Sequence, residues 1–346
     1  MRYYVTYFDR NYFARGLALI ESLHSKSRSP FTLYVHCMDE LTRLILSKLE
    51  IPSIMILARF ELEAYDTALT STMHTRDARE YLWTMTPTII LRTLERFPNI
   101  DFLTYLDADQ YVFSDPEVIF HELNSGSCLI HEHRFSRELE HMAQNGIYNV
   151  GVLAFPNDSR GRSILEWWRL RCIEWCYAKP HDGKMGDQGY LNDWPTRFKD
   201  VIVTQNIGIG VAPWNMRSYS FNEGPEGQVL INNVPIVVFH FHGIKLLDPR
   251  LIVLMDNLTY SIPVNTVRLC YLPYVEALLR AFELLQKHSA EFPHGFNINH
   301  QISIEYAILA NGPLQQALVN SGFNPEYSLL STDWALFPGQ QIVHNV

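Results

Sequence analysis

The sequence contains no run of about 20 apolar residues, so no segment reads as a membrane-spanning helix. It has no surplus of positive charge either. Its 28 Lys and Arg are outnumbered by 37 Asp and Glu, for a formal charge of −9, which argues against a nucleic-acid partner held through its phosphates. The 5 cysteines are odd in number and scattered, which argues against a disulfide framework. Two of them, Cys172 and Cys176, sit four apart in SILEWWRLRCIEWCYAK, on one side of an expected helix. No second Cys or His pair has zinc-site spacing, so they read as buried thiols against Trp168 and Trp175. No G-x-G-x-x-G follows the first strand, and neither G-x-x-x-x-G-K-[ST] nor G-x-S-x-G occurs. Dinucleotide, P-loop and nucleophile-elbow readings therefore lose their main support. Low-complexity linkers and internal repeats are also missing.

What is present is apolar material for a large core. Of 346 residues, 47% are hydrophobic and 13% aromatic, enough for one large domain with an appendage or for two modest ones. The chain opens MRYYVTYFDR, strand-like and without an apolar signal segment behind it. The expectation is a cytoplasmic protein whose membrane contact, if any, is peripheral at the inner surface. Strand-like and helix-like segments then alternate, the pattern of a mostly parallel sheet covered by helices. YYVTYF, FTLYVHC, SIMIL, FLTYL, CLIH and NVGVLAF read as strands. FARGLALIESLHS, ELTRLILSKL and EVIFHEL read as helices, and Asp158 as the cap of a long helix reaching Tyr177. Thr86 and Pro87 read as the N-cap and first residue of the helix TIILRTLERF. QVLI-NN-VPIVVFHF reads as a hairpin turning at Asn232-Asn233. After about residue 250, YVEALLRAFELLQKHS, HQISIEYAILANG and GPLQQALVNSGF read as helical. The expected organisation is an α/β domain over 1–250 and a helical appendage over 251–346.

The chemistry concentrates in DFLTYLDADQYVFSDP. An apolar run ends on Asp107 and Asp109, two like charges one residue apart that lose hydration near a core. A divalent cation between them answers both problems, since hard cations take oxygen ligands. An Asp-rich turn ending a strand is the competing reading. Aspartyl phosphatases also place D-x-D after an apolar strand, but Tyr111 stands where that pattern has Thr or Val.

Four further segments share the order of this motif in one family. TYFDRN with its following helix, YLDAD, YNVGVLAFPND, GDQGYLN and HFHGIK together resemble the metal-dependent GT-A glycosyltransferases. Within these, the likeness is to the family 8 group that includes glycogenin and lipopolysaccharide galactosyltransferases. YLDAD, YNVG, GDQ.YL, APWN and HFHG are closer still to a bacterial group associated with surface-polysaccharide assembly. The resemblance spans roughly residues 1–250. Arg10 stands where family 8 often has an acid, and HFHGIKLLD lacks the K-P-W ending of the family and brings Lys245 one residue closer to the glycine.

The resemblance implies a GT-A fold, Rossmann-like, with a mixed but mostly parallel sheet flanked by helices. It implies Mn²⁺ or Mg²⁺ held by Asp107, Asp109 and His240, and a nucleotide-diphosphate sugar, most simply a UDP-sugar, contacted through Thr6, Asp9, Asn11, Asp107 and Lys245. Asp187 and Gln188 of GDQGYLN match the groups placed beneath the anomeric carbon, although Asp187 also reads as a helix cap. Glu132, His133 and Arg134 fit acceptor or donor-sugar contacts, or a solvated loop. Trp214 and Asn215 fit a sugar pocket, or the core. In VVFHFHG, strand alternation sends Phe239 and Phe241 one way and His240 and His242 the other. The expected activity is transfer of a sugar, with retention, to a glycan or glycolipid. A sugar nucleotidyltransferase and a non-catalytic sugar-nucleotide or glycan-binding domain are the rivals, the first lacking its Gly-rich, Arg-containing loop after the first strand.

Overall fold

The computed structural model describes residues 1–248, 251–255, 262–288, 306–310, 328–329 and 334–338. Its strands are β1 (Arg2–Phe8), β2 (Phe31–Cys37), β3 (Ile54–Ala58), β4 (Phe102–Leu106), β5 (Gln110–Val112), β6 (Cys128–Glu132), β7 (Tyr148–Pro156), β8 (Val201–Val203) and β9 (Ile209–Val211). They continue with β10 (Phe221–Glu223), β11 (Val229–Ile231), β12 (Val234–Pro235), β13 (Val238–His240), β14 (Lys245–Asp248) and β15 (Leu251–Met255). Beyond these lie β16 (Tyr306–Ala310), β17 (Ser328–Leu329) and β18 (Trp334–Pro338). The helices are α1 (Phe13–Lys26), α2 (Glu40–Lys48), α3 (Arg59–Tyr65), α4 (Thr67–Ser71), α5 (Ala78–Arg96), α6 (Glu117–Leu123), α7 (Ser159–Glu174), α8 (Trp194–Arg197), α9 (Val264–Thr266) and α10 (Leu272–His288).

The main sheet runs in the order β3-β2-β1-β4-β7-β6-β8. All its pairings are parallel except those of β7, which is antiparallel to both neighbours. The sheet is covered on both faces, so neighbouring residues of one strand enter opposite cores: Val152 and Ala154 join Tyr4, Leu33 and Leu129 on one side, and Leu153 and Phe155 join Val5, Tyr34 and Ile130 on the other. The α/β expectation, mostly parallel and flanked by helices, is met. A small second sheet, β5-β13-β9, stands at the carboxyl end of β4 and carries the His240 strand back to the Asp-rich turn. Among the described residues no helix is long and apolar enough to cross a membrane.

Three local expectations are corrected. The helix expected to begin at Thr86 begins at Ala78, because Asp77 and Glu80 form a reciprocal capping box a full two turns earlier, and Pro87 sits inside it. Its missing N–H withdraws a helical bond, and beside it the Thr86 hydroxyl meets that of Tyr7 (3.1 Å). The helix capped by Asp158 ends at Glu174, short of Tyr177. The region after residue 250 is not wholly helical: α10 is, but β14, β15, β16, β18 and β17 form one antiparallel sheet that crosses that boundary. Within HQISIEYAILANG, Ile302, Ile304, Tyr306 and Ile308 recur at period two, which is a strand's period. GPLQQALVNSGF lies outside the described residues. The Asn232-Asn233 hairpin is present, with both φ angles positive as its tight turn needs, but the run after it leaves at Pro235 to form β13 in another sheet.

Candidate active site

Asp107, Ala108 and Asp109 make the turn between β4 and β5. The Asp107 N–H donates to the Gly151 carbonyl on β7 (3.1 Å), and the Phe241 N–H donates to the Asp109 carbonyl (2.9 Å). Those two bonds fix the turn between the main sheet and β13. In the register of β5 with β13, His240 lies opposite Gln110. The imidazole therefore arrives at the acids: Nε2 is 3.1 Å from Asp109 Oδ1 and 3.7 Å from Asp107 Oδ2. One donor atom each from Asp109, His240 and His242 fall within 4.8 Å of one another. Phe239 and Phe241 stack away from the site at 4.4 Å, so the alternation expected of this segment holds.

Burial would push the carboxyl of Asp109 up, but His240 outweighs it and holds the group down at about 2. For His240, burial alone would favour the neutral ring; Asp109 and then Asp107 reverse this and hold it above its ordinary value. Asp107 has the opposite fate. Burial, together with the charge of Asp109, raises it despite His240. Its Oδ1 accepts from the Tyr105 hydroxyl at 2.5 Å, which leaves Oδ2 toward the imidazole.

Asp187 is buried next to this group, and its carboxyl is pushed up to about 7 by burial and then by the charge of Asp107. Its side chain accepts from the Thr86 hydroxyl rather than capping the turn that follows. Trp168 of α7 holds the loop by donating Nε1–H to the Asp187 carbonyl (2.9 Å). Gln188 donates Nε2–H to the Asn145 carbonyl (2.7 Å), which fixes it against the loop before β7.

A cleft of about 390 Å³ opens where β1, β2 and β3 end, lined by Asp9, Arg10, Asp39, Arg59, Arg76 and Asp77 among others. Ligands of open α/β sheets lie at such carboxyl ends. Asp9 is shaped by its own turn: Oδ1 accepts from the Asn11 and Tyr12 N–H groups, and Oδ2 from Asn11 Nδ2 (3.0 Å). Lys245 is close enough to His242 for its charge to act on that ring. His133, Trp214 and His240 form a ring cluster, with Trp214 edge-on to both imidazoles at 5.2 Å. Glu132 ends β6 beside it, half-buried.

Three expected contacts are not brought to the site. Thr6 is fully buried inside β1. Asn215 is also fully buried, and its amide serves the backbone at Ala212, His133 and Gly210, so it positions Trp214 and His133 and has no surface for a ligand. Arg134 is likewise tied to the Asn206 and Ile209 carbonyls. All five cysteines are buried and unpaired, Cys172 beside Trp168 in the same core as expected. By sequence, Tyr105 and Gln110 carry no role in the site, and Thr86 only that of a helix cap. The available signal was a polar Gln110 starting a strand whose three residues are all buried.

No protein-family model matches the chain. It is 32% identical over 255 residues to the uncharacterized protein YfnF of Bacillus subtilis strain 168, covering 71% of this chain and 82% of that protein. It is 28% identical over 306 residues to the uncharacterized protein YfnD of the same strain, covering 87% and 96%. Among solved structures, the galactosyltransferase LgtC in complex with donor and acceptor sugar analogues is 16% identical, with a TM-score of 0.46 over 69% of this chain and 87% of that one. Mouse xyloside xylosyltransferase 1 is 11% identical, with a TM-score of 0.45 over 76% and 99%. At such scores neither structure carries a functional argument, which rests on the site's own geometry.

Proposed function

This chain belongs to the same family as the uncharacterized protein YfnF of Bacillus subtilis, and from the geometry of its site we propose that it is a metal-dependent glycosyltransferase with a GT-A fold. The donor is a nucleotide-diphosphate sugar, in this reading a UDP-sugar, and the acceptor a glycan or glycolipid. Retention of configuration follows from the family 8 resemblance, and the place of action is the cytoplasm or its membrane surface. One observation carries the reading. Asp109, His240 and His242, from segments far apart in sequence, bring three ligand atoms within 4.8 Å at the carboxyl end of a mostly parallel sheet. A carboxylate with two imidazoles fits Mn²⁺-type ions.

When bound, a divalent cation supplies positive charge to the diphosphate leaving group as the glycosidic bond breaks. Asp109, His240 and His242 would hold it. Asp107, with one oxygen on Tyr105, presents the other for a water-mediated or ribose contact. The cleft at the ends of β1–β3 takes the nucleoside past Asp9 and Asn11, and Lys245 meets the diphosphate. Asp187 and Gln188, on a loop pinned by Trp168 and Asn145, orient the sugar. Glu132, His133 and Trp214 frame the acceptor side.

The test is a thermal-shift screen of nucleotide sugars with and without Mn²⁺. A true donor raises Tm by mass action, and only with metal present. A panel in which no nucleotide sugar shifts Tm in the presence of Mn²⁺ would falsify the proposal.

A further inference from the structure

Gln110 is a fully buried carboxamide, and neither its Oε1 nor its Nε2 has a hydrogen-bond partner among the described residues. His240 Nδ1 is in the same position. Two unsatisfied polar groups in one buried place are unusual, because each lost its water and gained nothing for it. They are also neighbours. The register of β5 with β13 puts the two residues directly opposite, so their side chains rise from one face. A Cβ built on Gly151 would lie 2.5 Å from Gln110 Nε2, 2.6 Å from Asn149 Oδ1 and 2.9 Å from His240 Nδ1. The three polar groups thus crowd around one bare Cα of β7, and any side chain there would displace them. Asn149 is already occupied, since its Oδ1 accepts from the Gly151 N–H (2.8 Å) and its Nδ2 faces His133 Nε2 (3.2 Å). Gln110 is the group left to serve His240.

We propose that Gln110 is a positioning residue for His240: its carboxamide oxygen accepts the Nδ1–H, so that Nε2, which faces Asp109, is the nitrogen that exchanges its proton for a cation. The inference deepens the metal reading given above and rests on it. A neutral imidazole carries its proton on one nitrogen only, and the hydrogen bond made by the far nitrogen decides which. Ligating histidines almost always have such an outer partner. A half-turn of the terminal amide about its last torsion turns Oε1 toward the bare Gly151 position that His240 Nδ1 also faces.

Three variants and two readouts test this. Gln110→Leu keeps the bulk and removes the acceptor, Gln110→Glu keeps the acceptor, and Gln110→Asn draws the amide back from Nδ1. Mn²⁺ dissociation constants come from calorimetry. Protection of the His240 Nδ1 proton comes from ¹H–¹⁵N spectra of ¹⁵N-histidine-labelled protein, metal-free and with Mg²⁺. Gln110→Leu and Gln110→Asn are expected to weaken Mn²⁺ by about 10- to 100-fold, the range for lost outer partners. The same two lose protection of the Nδ1 proton, while Gln110→Glu keeps both properties near the parent. A Gln110→Leu protein with the parent's Mn²⁺ affinity and the parent's Nδ1 protection overturns the assignment, as does Gln110→Glu failing as badly as Gln110→Leu. Should Gln110→Leu not fold, Gln110→Asn decides by the same criteria. If the parent itself takes up no Mn²⁺, the metal reading falls, and the metal-free Nδ1 protection alone judges Gln110.

Discussion

Asp187 carries a proton that an ordinary aspartate would have lost. Its folded carboxyl titrates at about 7, against roughly 4 in an unfolded chain. Between those values the native state binds more protons than the unfolded state, so the metal-free protein loses stability as pH rises from about 4 to about 7. The loss from this one group is on the order of 4 kcal/mol. Asp187→Asn replaces the neutral acid with a neutral amide and is expected to flatten that slope, read as urea midpoints across the range in EDTA. Asp109 has the opposite sign: held down at about 2, it contributes stability above roughly pH 4 that is lost as pH falls toward 2. Asp109→Asn is expected to abolish Mn²⁺ binding in calorimetry and, in EDTA, to lower Tm above about pH 4, where the carboxylate pairs with His240. Of the two histidines, buried His240 should matter more than exposed His242. His240→Ala should therefore raise the Mn²⁺ concentration needed for nucleotide-sugar binding further than His242→Ala does, and equal requirements would remove the distinction. At this scale the sequence showed the acids and the histidines, because charge at the end of an apolar run is visible in one dimension. It could not show that Asn215 spends its amide on three backbone groups, nor that Gln110 faces His240, since both facts depend on pairings between distant strands.

Helix α5 shows how a correct local rule can be applied at the wrong place. Thr-Pro is a sound helix-start signature. Asp77-x-x-Glu80 is a better one, because both side chains satisfy orphan N–H groups at once. The consequence is testable. Asp77→Ala should destabilise the protein by about 1 kcal/mol in urea unfolding, the usual value of an N-cap. No change would mean that α5 is held by its packing alone. The β-strands were more legible than the helix ends, since their apolar runs are short and bounded by turn residues. Strand β16 was hidden in the sequence by the helical run of α10 before it, although its own stretch has period two.

Across the whole molecule, α10 packs on α1, and Arg280 reaches Glu21 at 2.6 Å to join them. From α10, Tyr274 stacks on Phe241 at 4.0 Å, in the segment that carries His240 and His242. Tyr274→Ala is expected to cost about 3–5 kcal/mol as a large aromatic lost from a packed core. Because Phe241 loses its support, the same variant should also bind Mn²⁺ more weakly. Tyr274→Phe makes the contrast. The buried hydroxyl has no partner among the described residues, so its removal should be neutral or stabilising. A marked loss on Tyr274→Phe, read in the same urea titrations, would show that the hydroxyl has a partner.

That bracing by α10 also sets an order of events during synthesis. The acids of the Asp-rich turn leave the ribosome early, but the helix that supports Phe241 is complete only at His288. At bacterial and eukaryotic elongation rates the gap between Asp109 and His288 lasts roughly 10–40 s. Until His240 and His242 follow, the nascent chain holds its two carboxylates without the imidazoles that oppose their charge, and until His288 it lacks the helix that braces them. Cation uptake at the proposed site therefore follows the completion of α10.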